Sequence, residues 1–240
     1  MQFKILKNQN LIQGVSEARF GSIRNSRKAI KFLRSIGYNF EPKNLVWAEQ
    51  VFSNRVHICK KEDGGKKIRG VDGLISSIPK QILIIKSADC LPILIYDRRK
   101  KVVAALHGGR ECLVKGIIER AVEKMRKNFL SKSKDFLVAI GPHIRVCHYW
   151  LRKENYQKLK KKNFKKYFLK KKERIYFDLT KLAKDKLLKL GVRKNNIEDC
   201  KICTFCQAEK FFSFRKEKEN PNFYSEKNPR FISFIGLLKI

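Results

Sequence analysis

Apolar residues in the segment Ser26 to Ile36 fall at positions 29, 30, 32, 33 and 36, which is helical spacing, and Gly37 supplies a stop. A longer amphipathic helix is predicted over Leu113 to Leu130, where positions 113, 117, 118, 121, 122, 125 and 129 trace one face. Leu179 to Leu190 reads as a third helix, with Asp178 as N-cap and Gly191 at its C-terminal end. Between these helices lie short runs dense in Ile, Leu and Val. Gln81 to Lys86, Leu91 to Tyr96, Lys101 to His107 and Phe136 to Ile140 read as buried strands. Leu45 to Cys59 reads as one or two strands, Asp63 to Gly70 as a Gly/Lys loop, and Phe231 to Leu238 as a closing strand. Helices and strands are mixed and hairpins are expected. No repeat or linker divides the chain, so the pattern predicts a single α/β domain over residues 1–240, with helices packed on mixed sheets.

Composition sharpens this picture at three points. A hydrophobic fraction of 43% over 240 residues excludes a disordered chain and provides for a full core. No uncharged apolar stretch is long enough to cross a membrane, and the N-terminus lacks the apolar run of a secretory signal, so no membrane partner is expected. Seven cysteines with no such signal are read as reduced thiols in a cytoplasmic protein.

The net charge of +34 points towards polyanions. It is densest in Arg152 to Arg174, where twelve Lys and Arg stand against two Glu, interleaved with Tyr156, Phe164, Tyr167 and Phe168. Phosphate contact plus ring stacking would suit non-specific nucleic-acid binding. A solvated helix face is the plainer reading of the same stretch, which is expected to be helical from residue 152. Repulsion between such surfaces argues for a monomer.

The candidate chemistry lies in residues 87–109, SADCLPILIYDRRKKVVAALHGG. A hairpin turning at Arg98-Arg99 would place Cys90 opposite His107, on one face and about 5 Å apart at Cβ. A thiol beside an imidazole can be a nucleophile. The same pair can hold zinc or copper together with a third ligand, or it can be a buried cysteine beside a packed histidine. A second cluster, Cys200-x₂-Cys203-x₂-Cys206, has metal-type spacing and lacks a fourth ligand, for which Cys147 or His148 are the candidates. Cys59 and Cys112 read as small packed residues.

ADCLPILIYD (88–97), VVAALHGG (102–109), AIGPHI (139–144) with Tyr149, FDL (177–179), LGV (190–192), Cys203-Thr204 and FFSFR (211–215) with Arg230 occur in that order. Together they resemble the multicopper polyphenol oxidase, or laccase-domain, family from about residue 15 onwards. The resemblance implies an α/β/β/α sandwich, also described as cysteine-hydrolase-like. It also implies a purine nucleoside phosphorylase acting on adenosine, inosine and methylthioadenosine with phosphate, with adenosine deaminase as a side activity. It implies a zinc or copper site that includes Cys90 and His107. The family's first ligand, a histidine in a Gln-Val-His motif, aligns with Phe52 in Gln50-Val51-Phe52. A phenyl ring cannot bind a metal, which leaves His57 or His143 as the third ligand. HGGREC (107–112) lacks the family tryptophan, and Arg110, a candidate substrate- and phosphate-binding residue, is either the family arginine after a one-residue deletion or its neighbour. Arg19, in SEARFGS (16–22), corresponds to an arginine before a glycine turn and is a candidate catalytic and phosphate-clamping residue. Four histidines are too few for a four-copper laccase centre. Two other readings stay open: a degenerate member that binds nucleic acid or other polyanions through its basic surface, and a metal-free Cys90–His107 hydrolase.

Overall fold

Two sheets stack face to face, each with helices on its outer side. The computed structural model describes residues 1–161 and 164–238. In chain order the elements are β1 (Leu11–Val15), α1 (Ser26–Ser35), β2 (Leu45–Glu49), β3 (Val56–Ile58), β4 (Lys67–Arg69), β5 (Gly73–Ser76), β6 (Ile82–Ser87), β7 (Leu91–Asp97) and β8 (Val102–Gly108). There follow α2 (Arg110–Lys115), α3 (Ile117–Phe129), β9 (Phe136–Ile140), α4 (Lys153–Lys161), β10 (Phe168–Lys171), β11 (Arg174–Phe177), α5 (Leu179–Lys189), β12 (Ile197–Asp199), α6 (Phe214–Glu219) and β13 (Phe231–Leu237). One sheet runs β1-β13-β6-β2-β4, the other β12-β9-β7-β8-β5-β3, and β10-β11 form a separate hairpin.

The strand sequences explain the layering. Side chains alternate between faces along a strand, so an unbroken apolar run implies burial on both sides. Along β8, Val103 and Ala105 point into the space between the sheets, while Val102, Ala104 and Leu106 join the core beneath α2, α3 and α5. Leu83 and Ile85 of β6 face the inter-sheet core, whereas Ile82 and Ile84 meet Ala29, Phe32 and Leu33 of α1. The result is the expected α/β/β/α sandwich. No helix among the described residues is long and apolar enough to cross a membrane.

Three expectations are corrected. The helix over 113–130 is two helices, because Gly116 adopts a left-handed φ of 89° and caps α2 through Cys112 and Leu113 carbonyls. The basic stretch is helical only through α4, and its second half forms the β10–β11 hairpin turning at Lys172 (φ 51°). Residues 162 and 163 of that stretch lie outside the described residues. Its rings pack inward, Tyr156 against Phe168 at 5.0 Å and Tyr167 against Phe177 at 6.2 Å, and so anchor the hairpin rather than form a stacking platform.

The third correction is register. β7 and β8 pair Leu91 with Gly108 and Pro92 with His107, two residues away from the expected Cys90–His107 pairing. The loop is four residues long, not two. The Asp97 carboxylate accepts the Arg99 and Lys100 N–H groups at 2.9 and 3.0 Å and stabilises the wider turn. A slip of two leaves the facing of every side chain unchanged. Cys90 therefore still meets His107, diagonally and from the loop just before β7.

Candidate active site

Strand ends from both sheets converge on a cleft of about 1270 Å³ whose floor includes Cys90 and His107. His107, at the end of β8, is only 2% exposed. Its Nδ1 donates to Asp72 Oδ1 at 2.8 Å, and the Cys112 sulfur lies 3.7 Å from the same nitrogen. The Cys90 sulfur lies beside the imidazole and raises its pKa. Gly109 makes room for this arrangement, since a Cβ there would lie 3.3 Å from Cys90 Sγ, His107 Cε1 and Phe52 Cδ1 alike.

Asp72 is the hub. It is fully buried in the turn before β5. Besides His107, its carboxylate accepts the N–H groups of Val51 (3.2 Å), Phe52 (3.1 Å) and Ser53 (2.7 Å) and the Ser53 hydroxyl (2.8 Å). Burial alone would raise its pKa. The His107 and Ser53 hydrogen bonds overcome that and hold it well below the usual carboxylate range. Burial likewise pulls His107 down, but the Cys90 sulfur and the Asp72 hydrogen bond prevail, and its pKa stands well above 6.5. The trio is thus an oriented Asp–His–Cys series in which Asp72 fixes the imidazole tautomer.

The same carboxylate shapes the loop that carries Phe52. Gln50 pins the loop's start to β6 through Lys86, accepting its N–H at 2.9 Å and donating to its carbonyl at 2.7 Å. Phe52 then turns with φ 58° and sets its ring edge-on to His107, 5.2 Å between centroids.

Cations line the rest of the cleft. Arg24, Lys86, Arg110, Arg215 and Arg230 all contribute to its wall. Arg24, Arg215 and Arg230 donate to main-chain carbonyls of Lys227, Trp150 and Pro229. Burial, reinforced by the positive charges of Lys67, Arg230 and Arg24, lowers the Lys86 pKa. Burial and Arg24 do the same to Arg230. The Arg215 guanidinium lies over the Trp150 ring at 4.5 Å. Two buried polar atoms of cleft residues, Ser87 Oγ and Arg215 Nη1, have no hydrogen-bond partner among the described residues. Cations set close together beside the unsatisfied Arg215 Nη1 give this wall of the cleft a positive character.

The remaining expected site residues are placed as follows. Arg110 lines the cleft, held by Asn155 at 3.0 Å and Glu111 at 2.8 Å. Arg19 does not line it. Its side chain is 72% exposed, pairs with Glu17 at 3.1 Å and lies over Phe20. His57 bonds Asp63 at 2.7 Å on β3, outside the cleft lining. His143 is fully buried, with Nδ1 on the Gly141 carbonyl (2.8 Å) and Nε2 on the Thr180 hydroxyl (2.7 Å). Both of its nitrogens are therefore engaged, and burial lowers its pKa to about 4. Neither histidine is set beside Cys90 and His107 as a third ligand. Sequence reasoning gave no role to Asp72, Arg24, Lys86, Arg215 or Arg230. For the last two the available signal was FFSFR with Arg230, while Asp72 carries none beyond its place in Val71-Asp72-Gly73.

A double-sheet α/β/β/α fold with a Cys–His–Asp cleft at its strand ends defines the class, and the comparisons identify it. Residues 13–237 match the family described as multi-copper polyphenol oxidoreductase laccase. The chain belongs to this family. A purine nucleoside phosphorylase of Campylobacter jejuni is 35% identical over 185 residues, covering 76% of each chain. One of Bacteroides thetaiotaomicron is 31% identical over 153 residues, 62% of this chain and 57% of that relative. The crystal structure of YlmD from Geobacillus stearothermophilus superposes with a TM-score of 0.84 over 96% of this chain and 93% of its own, at 22% identity.

The family description points to metal, and among the described residues three groups of Cys, His and acidic ligand atoms lie within 4.8 Å of one another. At the cleft the residues present do not fit a catalytic centre, which requires three protein ligands and an open position. Cys90 and His107 offer two donors, and the neighbouring place in the loop is filled by the Phe52 ring. The nearby group of Asp72, His107 and Cys112 is buried, and the Asp72 oxygens are already occupied by the hydrogen bonds described above.

Proposed function

We propose that this protein is a purine nucleoside phosphorylase that cleaves adenosine, inosine and methylthioadenosine with inorganic phosphate. The observation that carries the reading is the cluster of Lys86, Arg24 and Arg230, cations raised against one another on the wall of the cleft that holds Cys90 and His107. A dianion there relieves their repulsion, and guanidinium forks match its oxygens. The related phosphorylases of Campylobacter jejuni and Bacteroides thetaiotaomicron support the same choice. The reading includes a cytoplasmic protein, where nucleosides and phosphate are available.

In the reaction, a phosphate oxygen bonds to the anomeric carbon as the bond from that carbon to the purine nitrogen breaks. The departing purine takes up one proton, and the phosphate gives one up as it becomes the sugar ester. Arg24, Lys86 and Arg230 hold the phosphate. Tyr149, in the cleft lining, offers a ring for the base. With Nδ1 tied to Asp72, His107 keeps Nε2 for the cleft, and as an imidazolium it donates the proton to the purine and recovers one from phosphate. Cys90, beside that ring, favours its charged form. Deamination by a metal-bound hydroxide finds too few donors around Phe52, so it forms no part of the reading.

The test is a chromatographic assay for free base from the three nucleosides, with and without phosphate. Base release should require phosphate, and Lys86→Met or Arg230→Met should raise the KM for phosphate about tenfold or more, one lost charge-assisted contact being about 1.5–3 kcal/mol. Phosphate-independent release, or variants with unchanged KM, would refute it. No release at all would favour the second reading, in which Phe52 marks lost catalysis and the basic surface binds polyanions.

A further inference from the structure

Outside the cleft, two separate turns bring Cys147, His148, Cys203 and Cys206 together, with one ligand atom of each within 4.8 Å of all the others. Cys147 Sγ and Cys206 Sγ are 3.8 Å apart. His148 Nδ1 lies 3.3 Å from each of them. A tetrahedral zinc with Zn–S bonds of about 2.3 Å separates its sulfurs by about 3.8 Å and its sulfur–nitrogen pairs by about 3.5 Å. The cluster already has these spacings.

Its surroundings also match a thiolate–metal centre. The Arg145 main-chain N–H points at Cys203 Sγ at 3.5 Å, the kind of contact that supports a coordinating thiolate. The His148 ring is locked by stacking on Phe205, 4.3 Å between centroids and 20° between planes. Three thiolates and one zinc carry a net negative charge; the charges around His148 are Glu219, Lys216 and Lys171, two positive against one negative. Cys200, the first cysteine of the spaced trio in the sequence, is not a member. It packs against the inter-sheet core instead.

We propose that Cys147, His148, Cys203 and Cys206 form a structural zinc site, closed by four protein ligands and separate from the reaction. Its place in the fold gives it a purpose. His148 directly precedes Tyr149 and Trp150 of the cleft wall. Cys203 precedes Thr204, whose hydroxyl donates to Asp89 at 2.6 Å beside Cys90. Asp89 also accepts the main-chain N–H of Arg215 at 2.6 Å. Zinc at this point fastens the loop that carries Tyr149 and Trp150 of the cleft wall to the loop whose Thr204 braces Asp89. The metal would add a cross-link between turns that are otherwise held by backbone bonds such as Thr204 N–H to the His143 carbonyl at 3.1 Å.

The experiment measures the zinc content of the purified, exhaustively dialysed full chain by mass spectrometry of the metal, alongside a count of free thiols. The wild type and Cys90→Ala should each hold about one zinc per chain. The Cys147→Ser/Cys206→Ser variant should hold none above background, and because both side chains are exposed it should keep its circular dichroism. Zinc-free wild-type protein that fails to take up zinc on addition of the metal would overturn the proposal. So would equal zinc in the double variant, or the finding that Cys147 and Cys206 are joined in a disulfide.

Discussion

Asp72→Asn tests the hub on which the cleft is built. The asparagine side chain keeps one acceptor oxygen and replaces the other with two N–H donors. Turned with its amide nitrogen towards the Oδ2 position, it would face the Val51 and Ser53 N–H groups and leave both without an acceptor. The cheaper orientation places the nitrogen at Oδ1. There it faces the Phe52 N–H, the Cys112 sulfur, which can accept, and His107 Nδ1, which can surrender its proton and accept. That choice leaves one buried N–H unsatisfied, at about 1–3 kcal/mol, and removes a buried charge pair, for a total of about 3–5 kcal/mol. It also moves the imidazole proton to Nε2, the wrong tautomer for an edge that must both give and take a proton. Urea denaturation should therefore show a loss of about 3–5 kcal/mol. The pH profile should change as well. The depressed Asp72 pKa contributes stability that is present above the unfolded value of 3.8 and lost as pH falls through the folded one. The raised His107 pKa contributes stability that is present below 6.5 and lost as pH rises through its folded value. The variant should lose the acid limb of this dependence and most of the alkaline limb. A loss below about 1 kcal/mol with both limbs intact would refute the hub.

Three further expectations follow from the same geometry. His143, buried neutral with a pKa of about 4, contributes stability that is present above 6.5 and lost as pH falls towards 4, roughly 3 kcal/mol in full. A proton-resonance titration that finds its folded pKa at or above 6.5 would contradict this. Phe52→His places a third donor beside Cys90 and His107, so it should add a zinc equivalent that is absent when Cys90 is also changed to Ala. Unchanged metal content would show that the loop does not present position 52 to the pair. Arg19→Ala should leave phosphate KM within about twofold, because that side chain is exposed and paired with Glu17. A larger rise would place Arg19 in the site after all.

Helices packed on mixed sheets were legible in the pattern, because strands buried on both faces and helices buried on one both leave periodic signatures, while the double-sheet sandwich came from the family resemblance. The pattern misjudged what periodicity does not encode. Gly116 breaks a helix whose apolar stripe continues across it, and Asp97 widens a turn by capping it with a side chain. The Cys90–His107 meeting survived that error because a shift of two preserves facing. The cation cluster was illegible for a different reason. Arg24, Lys86 and Arg230 are far apart in a chain with 56 basic residues, and only the packing of β6 beside β13 brings two of their segments together. For the cysteine cluster the sequence offered Cys147 or His148 as a fourth member, and the structure brings both beside Cys203 and Cys206, with Cys200 left out.

The central claim is transfer of the sugar to phosphate, and phosphorus NMR of the protein incubated with inosine and inorganic phosphate tests it most directly. A new sugar 1-phosphate resonance should grow in step with hypoxanthine as the phosphate signal declines, and it should fail to appear with His107→Ala. Hypoxanthine or free ribose formed with the phosphate signal unchanged would contradict the account, as would unreacted inosine.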